Sequence, residues 1–235
     1  NPDLTTPEAY PGVFIKGFYK AHNGNSIIVG ATYDPSLYKH PTMVGTTLID
    51  TTYYSSLFVI NVSPTGESNW SKFIYSTTPT TFWSGADIDT YVADDGSVVI
   101  TGRSFNDILI DDELYEYTWL PFSYLGNCFI VNINPAGQTI WSKTFEVIYN
   151  LPTAVSKNSL GEVVFAGATR NRITIDNDYY VIEDSTMQYP RLFMLKFDST
   201  GQVNKSKLIH GNGFAYDVKS INPHEQLIYG RYRRG

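Results

Sequence analysis

The segment Gly24-Asn-Ser-Ile-Ile-Val-Gly30 returns further along the chain with a glycine at each end. The later copies are Gly96-Ser-Val-Val-Ile-Thr-Gly102 and Gly161-Glu-Val-Val-Phe-Ala-Gly167, with a degenerate fourth copy from His224 to Gly230. The final glycines of successive copies are 72, 65 and 63 residues apart. Self-similarity at such a period is typical of architectures in which one supersecondary unit is repeated along the chain.

A second element follows each complete copy and ends in a turn glycine. Its copies are Leu57-Phe-Val-Ile-Asn-Val-Ser-Pro-Thr-Gly66, Cys128-Phe-Ile-Val-Asn-Ile-Asn-Pro-Ala-Gly137 and Leu192-Phe-Met-Leu-Lys-Phe-Asp-Ser-Thr-Gly201. Apolar residues recur at every second position, which predicts a strand with a buried face before a turn. We therefore expect three phenylalanines to be buried at equivalent positions in successive sheets: Phe58, Phe129 and Phe193.

Two further elements complete the repeat. After each turn glycine a new strand begins at Trp70-Ser-Lys72, Trp141-Ser-Lys143 or Lys205-Ser-Lys207. Between the first and second elements lies an Ile-Asp pair followed by tyrosine, at Ile49-Asp50, Ile110-Asp111 and Ile175-Asp176. An apolar segment, an Asp-rich turn and a Tyr-bearing return are typical of a small hairpin. Each repeat is therefore predicted to contain four main strands and one inserted hairpin.

Four antiparallel strands per unit predict an all-β fold of the β-propeller type, in which each repeat is one blade. The predicted blades span about residues 13–76, 85–149 and 152–211, with a half blade at 212–235 and an extended arm at 1–12. Repeats of this length are too short for β-sandwich domains of about 100 residues. They are also far longer than the coils of a β-solenoid.

The repeat resembles the bacterial SBBP-type β-propeller repeats. In that repeat type, a Gly-x-x-Val-x-Val-x-Gly strand pair precedes a strand of the form Asp-x-Phe-Val-x-Lys, an Asn-Pro-x-Gly turn and a Trp-Ser pair. The glycine-bounded strands, the turn Asn134-Pro-Ala-Gly137 and the pair Trp141-Ser142 carry the resemblance, which extends nearly from Val13 to Gly230. It implies propeller blades and no particular ligand. Because the inserted hairpin lengthens each blade, the blade number of the family does not carry over.

Composition and charge limit the partners of the chain. Its 235 residues carry a formal charge of −6, whereas a nucleic-acid surface needs clustered Lys and Arg. The sequence has no run of about 18 apolar residues, so no membrane span is predicted, and no signal sequence is visible at Asn1. Cys128 is the single cysteine, so no disulfide can form within the chain. We expect a location at a cell surface, in the extracellular space or on a virus particle.

The titratable residues do not form the pattern of an active site. Glycoside hydrolysis needs two carboxylates about 5–10 Å apart across a cleft. The acidic clusters instead recur at corresponding positions that we interpret as turns: Asp87/Asp89, Asp94/Asp95, Asp111/Asp112/Glu113, Asp176/Asp178 and Glu183/Asp184. The histidines lack the spacing of metal ligands, and no nucleophile elbow, phosphate loop or dinucleotide fingerprint is present. We therefore predict no enzyme, no cofactor and no metal, with calcium in the Asp-rich turns as the open alternative.

Aromatic residues are concentrated in the inserted segments. Some of them must cover the hairpins themselves, but Tyr and Trp on a rigid scaffold are also typical of protein and sugar interfaces. The candidate binding residues are Tyr53, Tyr54, Tyr115, Tyr117, Trp119, Tyr179 and Tyr180. If the three hairpins extend from the same edge of each blade, these residues form one continuous surface.

The sequence favours a non-catalytic structural or binding module that assembles with other protein subunits. Three and a half blades leave strand edges exposed, and exposed edges pair with other chains. Residues 1–12 contain three prolines and are a poor strand, so we expect that the chain does not close a ring by itself. Residues 214–235 would then form the joint. The alternatives are a lectin-like propeller that binds a glycan and a carbohydrate-active enzyme.

Overall fold

The structure is a computed structural model. It describes residues 12–21, 24–33, 42–44, 47–49, 55–77, 88–116, 126–147, 154–169, 173–175, 178–181 and 190–233. The regular secondary structure of these residues consists of β-strands, which form four antiparallel sheets. The predicted all-β fold is confirmed.

The first sheet combines the first repeat with a hairpin of the second. Its strands in spatial order are β1 (Gly12–Lys20), β2 (Ser26–Tyr33), β5 (Ser55–Val62), β6 (Ser68–Ser76), β9 (Ile108–Ile110) and β10 (Glu113–Tyr115). The hairpin β9–β10 is the insertion of the second repeat. It therefore extends the sheet of the preceding repeat rather than its own.

The second sheet has the same construction. Its strands in reverse spatial order are β7 (Ile88–Val92), β8 (Val98–Ser104), β11 (Gly126–Ile133), β12 (Thr139–Val147), β15 (Ile173–Ile175) and β16 (Asp178–Val181). The insertion of the third repeat, β15–β16, pairs with β12. Glu146 is opposite Thr174, as Tyr75 is opposite Leu109 in the first sheet. The two inserted hairpins thus occupy equivalent places.

The insertion of the first repeat differs from the other two. Strands β3 (Thr42–Val44) and β4 (Thr47–Ile49) form a separate two-stranded sheet. The expectation that all three Ile-Asp segments are equivalent is therefore wrong. The spacing explains the difference, because Ile110 follows Gly102 by 8 residues, whereas Ile49 follows Gly30 by 19.

The third sheet contains one strand that crosses a predicted blade boundary. Its strands in spatial order are β13 (Ala154–Lys157), β14 (Val163–Thr169), β17 (Arg191–Phe197), β18 (Val203–Asn222) and β19 (Glu225–Arg233). β18 continues through the boundary that the sequence predicts between residues 211 and 212. Asn212 pairs with Arg191 on one side and with Arg233 on the other, and this double pairing keeps the junction extended.

The glycine at the end of each Pro/Ser-x-Gly turn is required by the backbone. Gly137 has φ +83°, a left-handed conformation that a residue without Cβ adopts at little cost. Its N–H donates to the carbonyl of Asn134 at 3.0 Å. The Asn134 side chain accepts hydrogen bonds from the N–H groups of Ala136 and Gln138, both at 2.9 Å. The asparagine thus stabilises the turn between β11 and β12 by a local side-chain bond.

Most of the core lies between successive sheets, and a smaller cluster around Phe58 and Ile60 lies on the opposite face of the first sheet. Phe58, Phe129 and Phe193 have no exposed surface, which confirms the predicted strand register. The cluster between the first two sheets includes Ile27 and Val29 of β2 together with Val98 and Ile100 of β8, and equivalent clusters lie further along: Val99 with Val163 and Phe165, then Val164 and Ala166 with Ala215 and Val218. The same stacking contact therefore recurs along the chain.

The first strands of successive repeats are also neighbours. β7 contacts β1 and β13, and β13 contacts the second half of β18. The hairpin β18–β19 repeats the hairpin β1–β2 in register. Gly12 pairs with Tyr33 and Asn212 with Arg233, each 200 residues later, and the bulge after Ile15 recurs after Ala215. The last hairpin is therefore the structural equivalent of the first.

Candidate assembly surfaces

Of the predicted tyrosine surface, the structure describes the part on the second and third hairpins. Tyr115 is half-buried on β10, where its hydroxyl donates to Glu113 Oε2 at 2.9 Å and lies 2.7 Å from Ser142 Oγ. Burial raises the pKa of Tyr115. Tyr179 and Tyr180 belong to β16. The other predicted site residues lie outside the described residues: Tyr53, Tyr54, Tyr117 and Trp119.

The hydroxyl contacts of Tyr115 show what this tyrosine does in the fold. Ser142 lies on β12, so Tyr115 links the inserted hairpin of the second repeat to the fourth main strand of the same repeat. It packs beside the core between the first two sheets. This matches the alternative in which part of the aromatic set covers the hairpin.

An ion pair holds the inserted hairpin on the preceding sheet. Lys72 of β6 donates to Asp111 Oδ1 in the turn between β9 and β10. Burial raises the pKa of Asp111, but the hydrogen bond and charge of Lys72, together with the hydroxyl of Thr139, outweigh burial and hold the pKa below its usual value. Asp111 has φ 51°, which Asp tolerates better than most residues. The Lys of the Trp-Ser-Lys segment thus recognises the Asp of the next repeat.

The tryptophans of the repeat contact the turn of the following repeat. Trp70 Nε1 donates to the carbonyl of Pro135 at 2.9 Å, and its ring lies against Gly137. A Cβ on Gly137 would lie 2.6 Å from the ring of Trp70, and a Cβ on Gly201 would lie 2.8 Å from the ring of Trp141. No heavy atom of the described residues lies within 4 Å of the equivalent point on Gly66. Trp70 and Trp141 are therefore packing residues that hold successive repeats together.

The first strands are connected by hydrogen bonds from one repeat to the next. Asp89 of β7 accepts the N–H of Val155 in β13 at 2.8 Å, and Ser156 of β13 accepts the N–H of Ser220 in β18 at 3.1 Å. Asp89 thus lies in a strand, so its interpretation as a turn residue is wrong. Its position 13 residues before Gly102, matched by Asp217 before Gly230, is the sequence signal that could have located it.

Charges of three repeats converge near Asp89. Burial is the largest cause that raises its pKa, the charge of Asp217 raises it further, and Lys16 and the N–H donors oppose the shift. Lys16 belongs to β1 and Asp217 to β18. The first strands of the first, second and fourth repeats are therefore close enough to interact electrostatically.

The exposed large apolar side chains of the described residues are concentrated on the first strand and on the last hairpin. Among the described residues, eleven such side chains are exposed, and eight of them lie on β1, β18 or β19. On β1 they are Val13, Phe14, Ile15 and Phe18; on β18 and β19 they are Tyr216, Ile221, Leu227 and Tyr229. Clustered exposed apolar residues mark interaction surfaces more often than scattered ones do.

A polar cleft lies beside the turns that join first and second strands. Its volume is about 590 Å³, and its lining includes Tyr91, Asp95, Lys157, Asn158 and Asn222. Lys157 Nζ donates to Ser97 Oγ at 3.0 Å and to Asn132 Oδ1 at 3.3 Å. Burial lowers the pKa of Lys157, and the charge of Asp95 acts in the opposite direction. The cleft offers one aromatic ring and several hydrogen-bonding groups.

The described residues contain no group of side chains arranged as a metal site and no membrane-spanning helix. In the part of the chain that the structure describes, no three His, Cys, Asp or Glu side chains are grouped as they would be around a metal ion. A helix that could cross a membrane is likewise not found there. No protein-family model matches the chain, and no curated protein matches it.

Proposed function

We propose that this protein is a non-catalytic structural module, built as a β-propeller-like array of blades, that assembles with other protein subunits at a cell surface, in the extracellular space or on a virus particle. The propeller arrangement is supported by the neighbouring first strands β1, β7, β13 and β18 and by the repeated stacking of successive sheets. In a propeller, the blades are arranged around an axis in this way.

The observation that carries the proposal is the distribution of exposed apolar side chains. Phe18 and Tyr229 each expose 69% of their surface, and each lies on a face of a terminal hairpin against which no other sheet of the described residues packs. Their counterparts within the array are packed: Val29, the equivalent of Tyr229, has no exposed surface. Exposed apolar side chains on the first strand and on the last hairpin, at positions that are packed elsewhere in the chain, favour assembly as the role of the chain.

The non-catalytic part of the proposal is supported by the structural roles of the carboxylates. Asp89 accepts a backbone N–H, and Asp111 pairs with Lys72. Asp95 accepts the N–H of Ser97 at 2.8 Å, and Asp198 accepts those of Thr200 and Gln202. Each of these groups stabilises a turn or joins two repeats, and such bonding needs no further role.

Sedimentation velocity from low to high micromolar concentration tests this function, together with turnover assays on a panel of polysaccharides. We expect concentration-dependent association, or co-sedimentation with another subunit, and no turnover. Turnover that a single Asp→Asn or Glu→Gln substitution abolishes would overturn the proposal. So would a protein that stays monomeric and joins no other subunit.

The polar cleft favours a second candidate, the binding of a glycan. Tyr91 supplies an aromatic face, while Asp95, Asn158 and Asn222 supply hydrogen-bonding groups. A glycan array tests this candidate, with Tyr91→Ala as the variant and Tyr216→Ala, outside the cleft lining, as its control. Binding that Tyr91→Ala abolishes and Tyr216→Ala leaves unchanged would establish it, and an array without any bound glycan would remove it.

A further inference from the structure

We propose that the partner of this chain is a second copy of itself, bound head to tail, with the outer face of the last hairpin stacked on the outer face of the first sheet. This inference rests on the proposed assembly function and names its partner. The last hairpin face is defined by Tyr216, Leu227 and Tyr229, and the first sheet face by Val13, Ile15 and Phe18.

The equivalence of the two terminal hairpins identifies the last hairpin face as a stacking surface. Leu227 and Tyr229 occupy the places of Ile27 and Val29, because β18–β19 repeats the pairing of β1–β2. Ile27 and Val29 are fully buried against the second sheet. Leu227 and Tyr229 instead expose 61% and 69% of their surfaces. This hairpin thus presents the face that each earlier sheet uses to bind its successor.

The first sheet presents the complementary face. Side chains alternate between the two faces of a strand, so Ile28 points away from Ile27 and Val29. Phe18 pairs with Ile28, and Ile15 pairs with Gly30, which places them on the side opposite the second sheet. In the second sheet the corresponding side is occupied: Ile100, two residues before Gly102 as Ile28 is before Gly30, packs in the cluster with Ile27 and Val29. On this face of the first sheet Phe58 and Ile60 of β5 are already buried, so the part that the first sheet offers is its first strand, β1, where Val13, Ile15 and Phe18 are exposed.

A specific hydrogen bond is available at the same joint. Asp89, opposite Thr101, accepts the N–H of Val155, which is opposite Phe165. Asp217 pairs with Tyr229, which precedes Gly230 by one residue as Thr101 precedes Gly102. Phe18 pairs with Ile28, which precedes Gly30 by two residues as Phe165 precedes Gly167. By this equivalence, Asp217 of one copy accepts the N–H of Phe18 in the next. In the bond from the N–H of Ser220 to Ser156, the donor also lies one position further along the repeat than the acceptor, as Val155 does relative to Asp89.

These features favour a second copy over an unrelated partner. Within the chain, the stacked apolar contact recurs from sheet to sheet, and a side-chain acceptor for a backbone N–H joins β7 to β13 and β13 to β18. The two terminal faces carry the two halves of this joint, one half each. A contact between different faces is heterologous, so it closes a ring or extends a filament of copies.

Complementary variants test the head-to-tail geometry. Leu227→Asp disables the last hairpin face, and Phe18→Asp disables the first sheet face. We expect each variant alone to sediment as a monomer, at least ten-fold weaker in association than the unmodified protein. An equimolar mixture retains one intact joint and should form a heterodimer and nothing larger. Leu160→Asp is the matched control, because Leu160 is equally exposed at 63% and lies in a turn outside both faces.

The hydrogen bond is tested separately. Asp217→Leu should weaken association about ten-fold, whereas Asp217→Asn keeps an acceptor and should lose less. Far-UV circular dichroism and thermal unfolding at low concentration establish that every variant is folded. Self-association of Phe18→Asp alone would show a contact between identical faces and overturn the inference. So would a monomer that binds a different protein, an outcome that leaves the assembly function standing.

Discussion

At the scale of single residues, the turn glycines illustrate how one position serves two purposes. Gly66, Gly137 and Gly201 all have a left-handed backbone, with φ between 83° and 90°. Gly137 and Gly201 also lie against a tryptophan ring of the preceding repeat, whereas Gly66 has open space around it. The backbone requirement is therefore common to all three positions, and the packing requirement applies to two of them.

Alanine substitutions separate these two requirements. Gly66→Ala should cost about 1–2 kcal/mol, the usual penalty for a left-handed residue with a Cβ. Gly137→Ala should cost at least about 1 kcal/mol more, because the methyl group would also displace the ring of Trp70. Urea denaturation of both variants at pH 7 measures the difference. Equal free energies of unfolding would mean that Trp70 is not held against this turn.

At the scale of elements, the inserted hairpins connect neighbouring sheets. The pair Lys72–Asp111 lies at the end of β9, where the hairpin meets β6. The Asp111 side chain is 43% exposed, so the ion pair is screened by solvent. It sets the position of the hairpin more than it stabilises the fold.

The pH dependence of the hairpin contact has a defined sign. The pKa of Asp111 is lowered in the folded protein, so its stabilising effect is present above the unfolded pKa and is lost as the pH falls through the folded pKa. Asp111→Asn keeps a residue that tolerates positive φ and should cost about 0.2–1 kcal/mol at pH 7. Thermal unfolding of both proteins from pH 7 to pH 2 measures this difference. A gap that persists unchanged at pH 2 would contradict the expectation.

The repeat made the strands and the buried phenylalanines predictable, because period-two patterns and turn glycines act locally. The partner of each inserted hairpin was not predictable, since β9 pairs with β6 across sheets and no local pattern encodes that choice. The role of Asp89 was missed for a similar reason. Its distance from Gly102 marks its place on a strand, but its partner is the backbone N–H of Val155, which no residue type in the sequence identifies. The sequence therefore predicts the strands of each repeat, but it does not predict how one repeat docks on the next.

At the scale of the whole molecule, the contacts between the first strands of successive repeats include polar groups. Thr90 of β7 and Ser156 of β13 are buried, and Asp89 is half-buried beside them. A buried carboxylate is costly unless its hydrogen bonds compensate for lost hydration. The repulsion between Asp89 and Asp217 of β18 adds to this cost and raises the pKa of Asp89 further.

We predict that the free energy of unfolding of Asp89→Asn, measured relative to that of the unmodified protein, is higher at neutral pH than at acidic pH. The pKa of Asp89 is raised in the folded state, mainly by burial. Folding therefore disfavours the ionised carboxyl, and the unmodified protein loses stability as the pH rises from the unfolded pKa through the folded pKa. The asparagine side chain of the variant keeps an oxygen that accepts the N–H of Val155, and it does not ionise. The stability of the variant relative to the unmodified protein should thus increase across that window and stay constant above it.

Asp198→Asn is the control, because the pH dependence of its stability should have the opposite sign. Asp198 has a lowered pKa because Thr200 donates a hydrogen bond to it, and Asn134 occupies the same turn position in the second repeat. Asp198→Asn should therefore lose stability relative to the unmodified protein as the pH rises. Chemical denaturation of the three proteins at half-unit steps from pH 3 to pH 8 measures both trends. If the two variants changed in the same direction, the N–H donors at Asp89 would outweigh burial, and the pKa of this carboxyl would be lowered in the folded protein rather than raised.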